Sequence, residues 1–450
     1  MQNSRSVTAA STDNLPSLKN QTSFNHERED KKEGIDEIAS RAPSVEINFP
    51  DGGTRAWLVV CGAMCCTFST FGYVNAWGVF QSYYTSNVMR DISPSSIHVQ
   101  PIRSWIGSIQ YALVFLPGLI AGRLLDLGHF RFPFLFGSIL VVVSCLITAE
   151  CKKYWHFLLC QGILTGIGSG ICFGPTLGIV GHWFLVKRGL ALGMVAVGSS
   201  IGGTIYPIAA RQLMPLIGFS WTMRVMALIS MVMLSVSNLT LKPRLPPKDV
   251  PGGLFNVRVF RSPAFTIYCF ATLVAFLGIY TVLTYINTSA VLVGVSPDFA
   301  FYLVSIANAS SGPGRIATGI MADKFGPVNV MVPMTLASAI MTFGWPYAHT
   351  KGSLIVVAIL YGFTSSSFVS ALNMPVFALG EMGDVGRRLG TVMMFTAVGA
   401  LCGPPISGAI FRSTGGFNAV SYYAGSVIVV ATILMATTRY LILRRFWGKF

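Results

Sequence analysis

Apolar residues along this 450-residue chain gather into twelve runs. They fall at about 57–80, 104–122, 132–149, 155–181, 189–210, 217–239, 264–286, 299–321, 327–347, 353–378, 390–411 and 419–441. Each is long enough to cross the hydrocarbon layer of a bilayer as a helix. Open strands are excluded there, because their backbone groups would have no partners in lipid. The longest polar interruption within this series is 240–263, KPRLPPKDVPGG and its flanks, and it divides the runs six and six. The pattern predicts an all-α membrane protein of twelve transmembrane helices in two six-helix bundles. The expected parts are a polar tail at 1–54, bundles at 55–239 and 264–441, a central loop at 240–263 and a short tail at 442–450.

Composition sharpens this picture. Apolar residues make up 52% and charged residues 11% of the chain, and mean hydropathy is +0.61. Water-soluble domains carry roughly 25% charged residues, so a soluble enzyme is ruled out. The net charge of +15 is unevenly placed: residues 1–54 carry six basic and nine acidic groups, the remainder 26 and eight. The basic groups stand singly or in pairs between apolar runs, with no basic stripe or nucleic-acid motif, so no nucleic-acid partner is expected. With the N-terminus placed in the cytosol, 23 Lys and Arg fall on that side and seven on the other. By the positive-inside rule both termini are cytosolic. The first 50 residues lack the apolar core of a signal peptide and are expected to be disordered. The nine cysteines lie almost all within apolar runs, in neither a disulfide nor a zinc spacing, and no metal or other cofactor is expected.

The two halves look like copies. Gly122-x-x-x-Asp126 follows the second run and Gly319-x-x-x-Asp323 closes the eighth, 197 residues later. Pro175 and Pro375, Arg188 and Arg388, and Gly203 and Gly403 each lie 200 residues apart. Matching order argues for a duplicated unit and pseudo-symmetric bundles, with substrate bound between them.

These motifs resemble the major facilitator superfamily. GRLLDLGHFR at 122–131 is similar to the family's loop between its second and third helices, through Gly122, Leu124, Asp126, Gly128 and Arg131. GIMADKFG at 319–326 is the second copy. The resemblance implies that Gly122, Asp126, Arg131, Gly319 and Asp323 belong to latches that close the cytosolic side, each acid pairing with a basic group or a helix N-terminus. PDGGTRAW at 50–57 and HWFLVKRGLALGMVAVGSSIGG at 182–203 resemble, more narrowly, the signatures of the monocarboxylate transporter family in its fungal style. Lys187 and Arg188 fall in the second signature and join the expected gating set. That family places a substrate-binding arginine where Arg315 stands. Its animal members carry an acid one turn earlier, here Ser311, and a lysine in the first helix, here Asn75. The proton-and-lactate machinery of those carriers is therefore not reproduced.

Charge within a span costs roughly 2.5–3.5 kcal/mol on insertion scales and marks function. Arg315 has no acid in its own run at binding distance, and its fork suits a carboxylate. Arg224 lies nearer the end of its run and suits an interfacial role. The acids keep to run ends: Asp126, Asp323, Glu381 and Asp384 on the cytosolic side, Asp91, Glu150 and Asp298 on the other. Proton coupling then falls to His156, His182 or the substrate's own acid, or is absent. Asn75, Gln110, Tyr111, Gln161, Asn287, Asn308 and Asn373 are the polar candidates for lining a substrate cavity beside Arg315, Asn75 foremost. No metal cluster, nucleophile–base pair or paired carboxylates point to an enzyme. The expected function is alternating-access transport of a small organic anion such as a monocarboxylate, across the plasma membrane. The alternatives are export of a fungal secondary metabolite and a nutrient sensor that has kept the fold.

Overall fold

In this computed structural model the described residues are 49–84, 99–246, 253, 257–380, 382–445 and 448–449. The polar tail up to residue 48, Asp91 and Glu381 lie outside them, as does most of the central loop. No strand occurs among the described residues. Helix α1 is Thr54–Gln81, α2 Trp105–Asp126, α3 Arg131–Thr148 and α4 Tyr154–Gly181. A 53-residue helical stretch, Arg188–Thr240, follows. Gly218 breaks it, with φ 78° and ψ 167°, a backbone conformation open to glycine and not to residues with a Cβ. The stretch is therefore two spans, α5 (188–217) and α6 (219–240). Then come α7 Pro263–Leu292, α9 Pro327–Tyr347, α10 Lys351–Ala378, α11 Val385–Thr414 and α12 Phe417–Leu443. Between α7 and α9 lies α8, Pro297–Phe325.

Ten of the stretches are long and apolar enough to cross a membrane. Splitting 188–240 at Gly218 adds one, and α8 makes twelve. Helix α8 falls short on apolarity, not on length. It has 29 residues, and its buried set includes Ser305, Asn308, Ser311 and Arg315. It is the helix whose polar side faces protein on several sides. Prolines at the first turns of α7, α8 and α9 set φ where no intrahelical N–H bond is lost. Large side chains such as Phe132, Leu216 and Leu239 are about 80% exposed around the outside, the greasy exterior of a lipid-facing bundle.

Contacts between the two halves run along α5 with α8 and along α2 with α11. Glycine permits the first at backbone distance: a Cβ on Gly319 would stand 2.5 Å from the Gly189 carbonyl oxygen. In the second, a Cβ on Gly122 would stand 2.3 Å from the Gly386 oxygen. Phe49 lies at one end of the bundle beside Arg188, and Lys449 reaches Asp323 at the same end. This end is the terminal face below; the other is the far face.

The segment ahead of α1 is fastened to the α4–α5 turn. Asp51 holds a left-handed φ of 48°, and its Oδ1 accepts from the backbone N–H groups of Leu185, Val186 and Lys187 at 2.8, 2.8 and 3.1 Å. The Asp51 N–H donates to the Trp183 oxygen at 3.1 Å. The aspartate of the PDGG motif is thus a cap for the turn that opens α5. Asp51→Ala is expected to lower stability by about 2 kcal/mol, since three backbone donors lose a charged acceptor. Thermal unfolding of the protein in lipid nanodiscs checks this, and an unshifted midpoint would contradict it.

Candidate functional site

Several helices are interrupted partway along their length, α1, α7 and α10 among them. In α1, residues 68–72 wind as a π-helix, and Asn75 and Ala76 form a turn before the helix resumes at Trp77. In α7, Ile279 and Tyr280 separate Pro263–Gly278 from Thr281–Leu292. In α10, Leu372 and Asn373 separate Lys351–Ala371 from Met374–Ala378. Such breaks free backbone groups and turn side chains inward, and they recur at functional sites. Here they frame a series of connected chambers between the bundles.

A vestibule of about 580 Å³ lies toward the far face. Beneath it is a chamber of about 70 Å³, walled by Asn75, Tyr111, Tyr280 and Asn308. The next, of about 30 Å³, shares Asn75, Tyr280 and Asn308 and adds Ser199, Ser311 and Arg315. A last chamber of about 30 Å³, toward the terminal face, is lined by Phe71, Ser199, Arg315 and Asn373 among others. Arg315 borders the last two and is 6% exposed. Among the described residues no Asp or Glu lines these three inner chambers.

Arg315 is not bare. Its Nη1 donates to the Ala196 carbonyl oxygen and to Ser199 Oγ, both on α5, while Nε is buried without a partner. One turn away Ser200 and Ser311 share a hydrogen bond of 2.6 Å, and Asn308 Nδ2 donates to the Gly203 oxygen at 3.1 Å. The guanidinium therefore braces α8 against α5 with neutral partners only. Its charge is left without a counter-ion there, and its Nε–H is unpaired.

Five of the seven polar candidates come together here, Asn287 among them, while Gln161 instead accepts from Tyr84 Oη. Tyr111 Oη donates to Asn75 Oδ1 at 2.8 Å, joining α2 to α1. Asn308 faces the same space, and Asn373 lies in the last chamber with its Oδ1 unpartnered. Gln110 does not join them. It is fully buried on α2, against α4 at Gly166, outside the chamber walls. A polar residue in an apolar run shows its helix face only once the helix is placed. Arg224 is also elsewhere: it pairs with Glu150 at 2.7 Å and covers the Trp221 ring at 4.6 Å, at the far-face end of α6.

Tyr280, Ser199 and Phe71 are cavity residues that the sequence pattern did not single out. Tyr280 packs its ring against that of Tyr111, tilted by 45° with centroids 5.0 Å apart, and lines the chamber that Arg315 borders. Its one sequence signal is the Gly278-Ile-Tyr step, where the α7 helix breaks.

At the terminal face, the two copied acids do matching work. Asp126 on α2 accepts from the N–H groups of Gly386 and Arg387 at 3.0 and 2.9 Å, at the start of α11. Asp323 on α8 accepts from those of Gly189 and Leu190 at 2.6 and 2.8 Å, at the start of α5. Each carboxylate meets the positive end of a helix dipole in the opposite bundle. Arg188 donates to the Phe184 oxygen at 2.9 Å and lies 4.5 Å over the Phe377 ring, joining α5 to α10. Arg131 and the Lys187 side chain, by contrast, are exposed, and Lys187 contributes its backbone N–H to the Asp51 cap. Two crossed acid-to-helix contacts hold the bundles together at the terminal face, with chambers between the bundles and a vestibule on the opposite side.

The sequence profile of the Major Facilitator Superfamily matches residues 59–377 and 268–445. The chain belongs to the major facilitator superfamily. It is a multi-pass membrane transporter of this superfamily. It is 35% identical over 410 residues to MFS-type transporter 1 of Ophiocordyceps sp. (strain BCC 1869), covering 90% of each chain. It is 36% identical over 396 residues to the aspyridones efflux protein apdF of Emericella nidulans, covering 88% of this chain and 79% of that one. The fujikurins efflux protein of Gibberella fujikuroi is 32% identical over 397 residues, covering 87% and 84%. The crystal structure of the human organic anion transporter MFSD10 (TETRAN) superposes with a TM-score of 0.66 at 16% identity, covering 85% of this chain and all of that one. That likeness supports the facilitator fold.

His182 lies between α4 and α5, outside the spans. Burial, with Arg188 beside it, pushes its imidazole down to about 4. It is therefore neutral across the pH range in which a cytosolic histidine switches. Because the folded value lies below the usual 6.5, stability falls as pH drops from about 6.5 to about 4 and is level below that. His182→Gln is expected to leave the pH profile of transport between pH 5 and 7 unchanged. A shifted midpoint in that variant would make His182 a proton carrier.

Proposed function

We propose that this facilitator exports amphipathic organic anions of the kind fungal secondary metabolism makes. The observation that carries the anionic class is Arg315: a buried cation at chambers walled by both bundles, held by neutral groups alone. A carboxylate or enolate supplies the missing counter-charge, with fork geometry suited to it. The names of two relatives as efflux proteins for metabolites support export. They favour this reading over a carrier of small monocarboxylates, the main expectation from sequence. Asn75 bound to Tyr111 and Ser311 bound to Ser200 also depart from the charged residues of the animal carriers. The excess of Lys and Arg on the terminal face supports a cytosolic location for it, and the membrane assigned is the plasma membrane, across which an exporter would act. Any proton carried is assigned to the acidic group of the substrate, since among the described residues no acid lines the inner chambers.

Inverted plasma-membrane vesicles, with the terminal face outward, test direction and class together. Culture-medium extract is split into acidic and neutral fractions and offered to vesicles with and without the protein. Protein-dependent accumulation of compounds from the acidic fraction is expected. Accumulation from the neutral fraction alone would remove the anionic assignment.

A further inference from the structure

The vestibule carries more than the path to the medium. We propose that it is a second binding site, for the same amphipathic organic anion after it has left Arg315, with Arg211 as its cation; the ligand class rests on the export reading.

Size is the first ground. At about 580 Å³ the vestibule lies in the range of pockets that hold drug-sized molecules. The chambers beneath, at about 70 and 30 Å³, are too small for such a molecule while the terminal face is latched. In this conformation a ligand of that size therefore fits in the vestibule and not beside Arg315. The walls come from both bundles. Val79 of α1 and Met214 of α5 face Val291 and Leu292 of α7 and Phe301 of α8, a largely apolar lining for an alkyl or aromatic body.

Charge is the second ground. Arg211, on the vestibule wall, lies 4.5 Å over the Phe301 ring and 5.5 Å from that of Tyr302. The rings hold the guanidinium plane in place. Its acidic partner is Asp298, and the pair is exposed: the Asp298 side chain is 91% accessible and that of Arg211 27%. Exposed ion pairs of this kind contribute only about 0.2–1 kcal/mol. A ligand carboxylate brought in by its apolar body can take the place of Asp298 at modest cost.

The third ground is Asn287. It borders both the vestibule and the chamber below, and its Oδ1 is buried without a hydrogen-bond partner. Buried acceptors are almost always satisfied. A hydroxyl or amide N–H on the ligand would satisfy this one, about where the two spaces join. The class is thus specific: an acid head, an apolar body and a neutral donor between them. Val79, Asn287 and Phe301 are shared by vestibule and upper chamber, which in turn shares Asn75, Tyr280 and Asn308 with the Arg315 chamber. The two cations stand at the ends of one continuous path.

The test uses pyrenebutyrate as probe and pyrenebutanol as its neutral counterpart, binding to the full-length protein in nanodiscs. Fluorescence is corrected for partition into empty nanodiscs, and thermal unfolding checks that each variant is folded. Saturable binding of pyrenebutyrate in preference to pyrenebutanol is expected. Arg211→Gln should weaken it about tenfold, the worth of a charge-assisted hydrogen bond. Asp298→Asn should tighten it about two- to fivefold by removing the competitor. A pair serving only to tie α5 to α8 predicts that both variants shift binding in the same direction, and that result would overturn the proposal. So would an Arg211→Gln variant that binds like wild type, or a wild type with no saturable binding. Arg315→Gln separates the two sites. Loss of binding there with none in Arg211→Gln would leave the central site standing and remove the vestibule site; the reverse is the result the proposal expects.

Discussion

Arg315→Ala is expected to reduce transport about a hundredfold while membrane abundance stays at the wild-type level. The estimate follows from removing a buried cation worth about 3 kcal/mol to an anionic ligand. The same side chain also braces α8 against α5 through Ala196 and Ser199, so loss of transport alone does not isolate its role. Two further variants do. Ser199→Ala removes part of the brace and keeps the charge, and is expected to retain most activity. Arg315→Lys keeps the charge and loses the fork, and is expected to fall between wild type and Arg315→Ala. Full transport by Arg315→Ala at normal abundance would remove the guanidinium from the site. Equal loss in Ser199→Ala and Arg315→Ala would reduce it to a brace.

Gly319→Val is expected to abolish transport by a different route. A Cβ at Gly319 would meet the Gly189 carbonyl oxygen at 2.5 Å and the Leu190 Cα at 3.0 Å. These are backbone atoms on a packed helix, and no rotamer change moves them aside. Overpacking typically costs about 1–3 kcal/mol where side chains can yield, and more is expected here. The cost falls only on the conformation in which α5 and α8 touch at the terminal face. The variant should therefore fold but favour the state with that face apart, leaving Asp323 off the start of α5. Spin labels at the exposed positions Lys187 and Lys324, in a background with the accessible cysteines replaced, read this directly. One short distance is expected in wild type and a longer one in Gly319→Val. An unchanged distance would mean that the latch is not what holds the terminal face closed.

The helices were legible in the sequence because lipid imposes a length and a composition on each span. The exception is instructive. Helix α8 alone of the long helices falls short of the apolarity of a span, because it faces chambers and α5 along much of its length, yet its apolar run at 299–321 was readable in the sequence. Asp126 and Asp323 stood out through their motif, though the motif does not state that both accept from helix N-termini in the opposite bundle. Arg131 illustrates the limit: it ends the same motif yet lies exposed at the first residue of α3.

The cavity was less legible, for two physical reasons. Polar residues in apolar runs serve helix–helix packing as readily as substrate, so Gln110 and Asn75 looked alike until α2 and α1 were placed. Aromatic residues in apolar runs look like lipid-facing or core residues. Tyr280 became a site residue only because α7 breaks beside it and turns it toward Tyr111 and Arg315.

The central claim is export of an organic anion, and metabolite profiling of cells and medium, with the gene for this chain present and deleted, tests it most directly. The account predicts an acidic, amphipathic compound that builds up inside the deletion strain and disappears from its medium. A compound that instead remains in the medium of the deletion strain would mean uptake, and would contradict the account.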